Sequence, residues 1–520
     1  MKIEKKDSFI SRVLGFVLQK KVILYFSLYS FLVPTTAFAS INEIQIEGNP
    51  GDDFSFANFC FWEPPGLQPN RILVVSLGTN QCGLHLVNDP DWQNLASSLN
   101  CGLLTCYFVG PSTLLWGDAA RGSGRALVQS LETLAKMTDN PQLAKAPVFL
   151  VGNSQGGVFC YHFAAWKPER TLGFISLKGG YHDVSKALEA ARVPGLFVIG
   201  ELDEPFRIAN IRKTFALGRA AGAPWCLANE PNSHHEPGPC SPLIVAFFQA
   251  VAKGPLPKDI PSKVTNYNTN RDESVTNFAS LGSWFPNARF AKEWQLFQST
   301  GTVPDLPKLS FASEMPPKLA IVSPSTLELA SVPSESKSPT ITLNVLPTNP
   351  NIWDHAEILP RDHLSDITST EQMPSQASLS FRFDSSNLPL GQFASEVPIR
   401  FSRNGKTVFG GLNVPLSLSV TGDVVSIPPS IYIGPVNANK KITVQIKIIS
   451  KAGMPIQFLS CKKSSEVDVS LPPQASNPLL LTFSFQFTDQ DLASGVIILH
   501  LRSNKEWVLR IPYIGQYNSG

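Results

Sequence analysis

The sequence predicts an α/β domain with a mostly parallel central sheet and flanking helices, followed by two all-β sandwiches. Three observations carry this. Short apolar runs alternate with helical patterns as far as Lys253; a serine stands between glycines where one such run meets a helix; and a repeat with a constant offset fills the second half. With 520 residues and 43% hydrophobic content, the chain is too long for a single core. The expected division is an export segment over residues 1–39, the α/β domain over 40–300, a linker over 301–311, and sandwiches over 312–421 and 422–520.

An antiparallel opening is expected around Ile44 to Ile46 and Phe54 to Trp62. The strands that follow are Ile72 to Leu77, Leu103 to Val109, Val148 to Val151, Phe174 to Leu177, Leu196 to Ile199 and Trp225 to Ala228. Runs this apolar are buried on both faces, as in a parallel sheet covered by helices. Leu127, Leu131 and Leu134 recur at helical spacing, and Ser241-Pro242 reads as the cap and first turn of a helix reaching Lys253. Alternation of strand and helix makes the sheet mostly parallel. Beyond Gly254, Pro255, Pro257 and Pro261 open a polar stretch to Asn277. Ser283 to Phe297 then carries Trp284, Phe285, Phe290, Trp294 and Phe297, read as a short helix packing back on the first domain.

From Leu309 onward, β-branched runs alternate with polar residues among frequent prolines and serines, which is strand and turn composition. Pro324 to Leu329 corresponds to Pro428 to Ile433, Ser380 to Phe383 to Ser484 to Phe487, and Leu388 and Gly391 to Leu492 and Gly495, always 104 residues apart. A constant offset indicates duplication. Units of this size with several short strands suit immunoglobulin-like sandwiches, two in tandem. The stretch Thr348 to Gln376 is poorly patterned and is expected to be a long loop or a degenerate edge of the first unit.

A net charge of +2 and a charged fraction of 16% exclude a nucleic-acid footprint and a polyanion-binding role. At the N-terminus, Lys2, Lys5, Lys6, Arg12, Lys20 and Lys21 precede the apolar stretch Val22 to Val33 and then Ala37-Phe38-Ala39 before Ser40. That order predicts a signal peptide cleaved after Ala39, and hence a secreted, periplasmic or cell-envelope protein; an uncleaved membrane anchor is the alternative. Export makes the eight cysteines candidate disulfide partners. Cys226 and Cys240 bracket a histidine loop and are the pair expected to bridge; Cys60, Cys82, Cys101 and Cys106 are further candidates, and Cys160 reads as a buried small hydrophobe. Their spacing matches no zinc site. Neither a dinucleotide fingerprint nor a phosphate loop occurs, so no cofactor and no metal is expected.

The chemistry is expected at Gly152-Asn153-Ser154-Gln155-Gly156-Gly157, which follows the apolar run Val148 to Val151 and leads into Val158 to Trp166. Strand, glycine-flanked serine and helix are the parts of a nucleophile elbow, a tight turn that lifts a serine hydroxyl clear of a sheet. Such a serine needs a base and an acid to orient that base, in the chain order serine, acid, histidine. Asp203, after the strand ending at Ile199, is the candidate acid, with Glu201 and Glu204 as alternatives. His234 and His235, in the loop after Trp225 to Ala228, are the candidate bases. The oxyanion hole is expected from the backbone N–H of Gln155 and a second N–H from Gly78 to Gly83, with Thr79 or Asn80 as donor.

From about Arg71 to Lys253 the chain resembles secreted bacterial α/β-hydrolases of the esterase type. Their last loop commonly reads proline, two or three small residues, histidine, glutamate. Laid on Pro231 to Glu236, the resemblance implies His235 as the base, with His234 where glycine is frequent. The elbow is similar to those of carboxylesterases and of prolyl-oligopeptidase-type peptidases. The second half resembles immunoglobulin-like modules beside enzymes in exported bacterial proteins, which implies a spacer or a cell-envelope contact. The expectation is therefore a serine hydrolase of carboxylic esters, saccharide-linked or lipid-linked. A peptidase or acyltransferase with the same triad, or a catalytically silent envelope-binding protein, is the alternative.

Overall fold

The computed structural model describes residues 41–517 apart from 111–115, 237, 239, 254–281, 316–317, 350, 373–375, 437–439, 464–466, 472–473 and 487–493. The expected export segment, the stretch from Pro255 to Asn277, and Phe487 and Leu492 of the repeat lie outside the described residues.

Eight strands build the first sheet: β1 (Ile41–Glu47), β2 (Phe56–Trp62), β3 (Ile72–Ser76), β4 (Gly102–Val109), β5 (Val148–Asn153), β6 (Thr171–Leu177), β7 (Gly195–Gly200) and β8 (Trp225–Glu230). Their spatial order is β1-β2-β4-β3-β5-β6-β7-β8. β1 and β2 pair antiparallel, as do β2 and β4, and the pairs from β4 and β3 onward are parallel. The helices are α1 (Pro90–Ser98), α2 (Ser123–Met137), α3 (Gln155–Trp166), α4 (Ala187–Ala190), α5 (Pro205–Ala220), α6 (Ser241–Ala252) and α7 (Ala288–Thr300). Side chains alternate across a strand, so Leu73 and Val75 of β3 enter one apolar layer while Ile72 and Val74 enter the other. A core on each face explains why these strands read as continuous apolar runs. This strand order with helices on both faces is the α/β-hydrolase fold. Helix α7 packs back as expected: Trp294 Nε1 donates to Leu227 O at 2.9 Å, and the Phe290 ring meets Phe247 at 5.5 Å between centroids.

The all-β half contains β9 (Ala320–Ser323), β10 (Leu327–Pro333), β11 (Ile341–Pro347), β12 (His355–Ile358), β13 (Leu364–Gln372), β14 (Gln376–Phe383), β15 (Leu390–Arg403), β16 (Lys406–Thr407) and β17 (Leu412–Thr421). There follow β18 (Val424–Ile427), β19 (Ile431–Val436), β20 (Lys441–Ser450), β21 (Gln457–Lys462), β22 (Val467–Ser470), β23 (Leu479–Gln486), β24 (Ser494–Arg502) and β25 (Glu506–Tyr517). In the first unit the sheet β13-β14-β11-β9 faces β10-β17-β15-β12; in the second, β22-β23-β20-β18 faces β19-β25-β24-β21. Apart from the two-residue β16, which has no counterpart in the second, the two units match strand for strand, and both are immunoglobulin-like sandwiches. They are also fused sideways. Leu390 and Gly391 of β15 pair in parallel with Leu509 and Arg510 of β25, giving one nine-stranded sheet and one continuous apolar core.

Of the two forms expected for the stretch from 348 to 376, the edge is found and the long loop is not: its described residues include β12 and β13, paired with β15 and β14. β13 lies at the edge of its sheet, exposes much of its polar sequence and shifts register between Ser365 and Thr368, which accounts for the poor pattern. The expected cysteine pairing needs correction. Cys226 and Cys240 are both free, as are the other six cysteines. Each packs as a small hydrophobe in the apolar layer below the histidine loop, and burial pushes both thiols up.

The halves meet along β1. Gln45 Oε1 accepts from Gly410 N and Gly411 N at 2.9 and 3.0 Å, Arg400 bridges Glu47 at 2.7 Å and Glu357 at 2.6 Å, and Arg361 donates to Gly48 O at 3.0 Å. The expected linker is held too, for Trp92 Nε1 donates to Ser310 O at 2.7 Å. No helix among the described residues is long and apolar enough to cross a membrane.

Candidate active site

Ser154 lies between β5 and α3 with φ 52° and ψ −121°, a conformation that costs an L residue of order 1–3 kcal/mol and persists only where the surroundings enforce it. They do. Ser154 N donates to Leu177 O at 2.8 Å, and a Cβ at Gly156 would run into the Ser76 and Leu77 carbonyls, so the turn sits directly on the end of β3. A Cβ at Gly152 would likewise strike the Gly156 carbonyl, which accounts for the small residues around the serine.

The strand ends deliver the partners. β7 stops at Gly200 and presents Asp203 on the following turn; β8 stops at Glu230 and presents the histidine loop. His235 Nε2 lies 2.9 Å from Ser154 Oγ, and His235 Nδ1 lies 3.1 Å from Asp203 Oδ2. The acid and base loops are laced together: Leu202 N donates to Ser233 O at 2.9 Å, Glu201 N to Glu230 O at 3.0 Å, and Asn232 N to Glu201 Oε2 at 3.0 Å. His234 faces away, exposed, with Nδ1 3.0 Å from Leu202 O. Glu201 is used in the lacing, and Glu204 caps the approach to α5 with an exposed side chain. Neither contacts a histidine ring among the described hydrogen bonds.

Burial raises the Asp203 carboxyl, but hydrogen bonds from His235 and the Glu204 N–H, with the charges of His235 and Arg207, outweigh it and hold Asp203 below the ordinary range. Its Oδ1 accepts from Glu204 N at 2.8 Å and Arg207 Nη1 at 3.3 Å, leaving Oδ2 for the imidazole. This carboxylate is ionised at neutral pH, so Nδ1 carries the proton and Nε2 faces the hydroxyl as acceptor.

Gln155 opens α3, where the first amide has no intrahelical acceptor. The loop after β3 approaches the serine at Gly78, where a Cβ would lie 3.1 Å from Ser154 Cβ. Gln81 Oε1 braces that loop, accepting from Gly78 N at 3.0 Å and Asn153 Nδ2 at 3.3 Å. Thr79 and Asn80 are exposed beside it, Asn80 with φ 60°. Among the described residues, no group of three or more His, Cys, Asp and Glu side chains is arranged to hold a metal.

Sequence reasoning missed three features here. One is Arg207 on the acid. The second is a buried pair, Ser176 and His182, with Ser176 Oγ 2.9 Å from His182 Nε2. The third is Lys178, fully buried against Glu230 at 2.6 Å. A lysine directly after an apolar strand, with a glutamate closing a later one, was the available signal.

No family model matches the chain, and no curated protein matches it in sequence. Solved structures do show a likeness. A cold-adapted esterase from an Arctic intertidal metagenomic library is 13% identical over 40% of this chain and 92% of its own, with a TM-score of 0.32. An arylesterase is 12% identical over 44% of this chain and 89% of its own, with a TM-score of 0.31. A ferulic acid esterase is 11% identical over 38% of this chain and 91% of its own, with a TM-score of 0.30. At these identities and scores, the fold assignment rests on the sheet order, and the chemistry must be argued from the site.

Proposed function

We propose that the chain is a serine hydrolase of carboxylic esters, with Ser154 as nucleophile, His235 as general base and acid, and Asp203 as the group that orients the imidazole. The observation carrying this is the continuous relay from Asp203 Oδ2 through His235 to Ser154 Oγ, at 3.1 and 2.9 Å, on a serine held at positive φ. As Ser154 Oγ attacks the ester carbonyl, its proton passes to His235 Nε2 and the carbonyl oxygen becomes an oxyanion. The N–H of Gln155 and an N–H of Thr79 or Asn80 stabilise that oxyanion. Collapse expels the alcohol, which takes the proton from His235. Water, deprotonated by the same nitrogen, then attacks the acyl-enzyme and frees the acid and Ser154.

Export through residues 1–39 belongs to the same proposal, as does an envelope contact for the sandwiches. Hydrolysis of short p-nitrophenyl esters by the full chain and by Ser154→Ala tests the chemistry. Turnover in the first and its loss in the second is the expected result; equal rates refute the proposal. Cleavage of proline-containing peptides in preference to esters would reassign the same triad to a peptidase.

A further inference from the structure

The loop that carries His235 runs for nine residues between the end of β8 at Glu230 and Cys240, yet it must place one nitrogen within hydrogen-bond reach of Ser154. What fixes it from below is Lys178. This ammonium is completely buried, as is Glu230, and the two meet at 2.6 Å. Lys178 Nζ also donates to Ser233 Oγ at 2.5 Å and to the carbonyl oxygen of Glu236. All three ammonium protons are thereby spent on residues 230–236, and the last two acceptors stand two positions before His235 and one after it. Glu230 completes the clamp. Its Oε2 accepts from Ser233 Oγ at 2.9 Å, and its Oε1 accepts from Cys240 N at 2.7 Å, where the loop re-enters the fold at α6. Gly238 packs so closely on the Glu230 carboxylate that a Cβ there would lie 2.6 Å from Oε1.

The other end of the device is the nucleophile. Leu177 O receives Ser154 N, and the next residue, Lys178, turns out of β6 with φ 48° while its own N donates to Val198 O at 2.7 Å. One two-residue corner therefore references both reacting partners, the serine turn through its backbone and the histidine loop through its ammonium. A buried ion pair is a weak source of stability but a strong source of fixed geometry when every donor and acceptor is satisfied, as here.

We propose that Lys178 is a positioning residue for the ester hydrolysis described above: acting through Ser233, Glu236 and Glu230, it holds the His235 imidazole at Ser154. The inference rests on that reading of Ser154, and the experiment separates the two. The full-length wild type, Lys178→Met, Lys178→Met/Glu230→Gln and Ser233→Ala are compared for kcat and KM on p-nitrophenyl acetate. Ser154 sites are titrated in parallel with a fluorophosphonate, so that rates are per labelled site. Loss of position costs kcat of order 10²-fold in Lys178→Met, with KM and the number of sites that finally label unchanged. The double variant removes the orphaned carboxylate charge without restoring the tether, so its kcat per site stays low; Ser233→Ala, which deletes one of three tethers, shows a smaller drop in kcat at constant KM.

Unchanged kcat per site in Lys178→Met, or its recovery in the double variant, overturns the proposal, because either result reduces Lys178 to a counter-charge. If Lys178→Met does not fold, Ser233→Ala decides: a lower kcat at constant KM supports positioning, and an unchanged kcat overturns it. Wild-type protein that neither labels nor turns over refutes the hydrolase reading itself, a result distinct from active wild type with indifferent variants.

Discussion

Two serine–histidine pairs lie in the same domain with the same spacing. Ser154 Oγ and His235 Nε2 are 2.9 Å apart, and so are Ser176 Oγ and His182 Nε2. Each imidazole has a third group at its other nitrogen: Asp203 Oδ2 at 3.1 Å for the first, Asn210 Oδ1 at 3.2 Å for the second. Everything else differs. His235 is one-third exposed, whereas His182 is 3% exposed and Ser176 is sealed within β6 on an ordinary extended backbone. The outer acid is a carboxylate held ionised; the inner partner is an amide that also accepts from His182 N and donates to His182 O. Burial drives His182 down to about 3, so its ring is neutral and a poor proton acceptor at any pH where an ester hydrolase works. A short Ser–His hydrogen bond is thus no signature of catalysis. Access, a carboxylate and a lifted serine are what the outer set adds.

The sharpest separation is deletion of each hydroxyl. Ser154→Ala is expected to lower kcat on p-nitrophenyl esters by about 10⁴-fold or more. Ser176→Ala is expected to leave kcat unchanged and to cost about 1 kcal/mol of stability, the worth of one buried hydrogen bond, read from a urea midpoint. Giving the inner set a carboxylate probes it from the other side. In a Ser154→Ala background, Asn210→Asp is expected to produce no fluorophosphonate adduct at Ser176, since no reagent reaches that hydroxyl; mass spectrometry of the labelled protein checks this.

Next in size are the orienting groups. Asp203→Asn removes the charge that favours the imidazolium and reverses the tautomer, and is expected to cost kcat about 10³ to 10⁴-fold. His235→Ala removes the proposed general base and is expected to cost about as much as Ser154→Ala, about 10⁴-fold or more, while His234→Ala, which gives up only a contact to Leu202 O, leaves kcat at the wild-type value. Steady-state kinetics on one ester settles all three. Activity kept in each single histidine variant and lost only in the double variant would show that the loop has two working registers.

Much of the outer set is legible in the sequence, because it is written in local rules. Glycines must flank a serine turned against β3, an acid must follow β7, and a histidine must follow β8. The choice of His235 over His234 comes from the loop's resemblance, and the geometry puts only the second ring at Ser154. The inner set and Lys178 obey no local rule. Ser176, His182 and Asn210 come from a strand, a loop and α5, and nothing in their spacing says that they meet. Lys178 and Glu230 read as strand-end charges, and only the closing of β8 over β6 and β7 makes them a buried pair. The all-β half divides in the same way: the 104-residue offset reveals two units, but their lateral fusion depends on the two-residue pairing of Leu390 and Gly391 with β25, which no periodicity encodes.

The inner set should announce itself in stability rather than rate. His182 has its folded-state value depressed from 6.5 to about 3, so the unfolded chain takes up a proton first as pH falls. Stability from this group is fully present above about pH 6.5 and is lost progressively toward pH 3, a few kcal/mol in all. His182→Gln, which has no titrating ring, is expected to flatten that decline in urea midpoints measured from pH 7 to 4. Asp203 contributes with its own sign and in a lower window: its value is depressed, so its share is held above the ordinary carboxylate range and lost only in stronger acid.

A further stability effect falls at the seam between the halves, where Glu396 sits beside Arg361, the residue that reaches Gly48 of the α/β domain. Burial raises this carboxyl from 4.5 to about 7 against the pull of Arg361, and its Oε2 has no hydrogen-bond partner. A raised carboxyl works opposite to Asp203. The unfolded chain ionises from about pH 4.5 while the native one stays protonated, so stability from Glu396 is present below pH 4.5 and is lost as pH rises to about 7. Glu396→Gln stays neutral throughout, and is expected to match the wild type at pH 4.5 and exceed it by about 1–2 kcal/mol at pH 8, after allowance for partial exposure. Urea midpoints at the two pH values test this. An equal gain at both would mean that the substitution acts through packing or hydrogen bonding and that the carboxyl at the seam does not titrate between the two pH values.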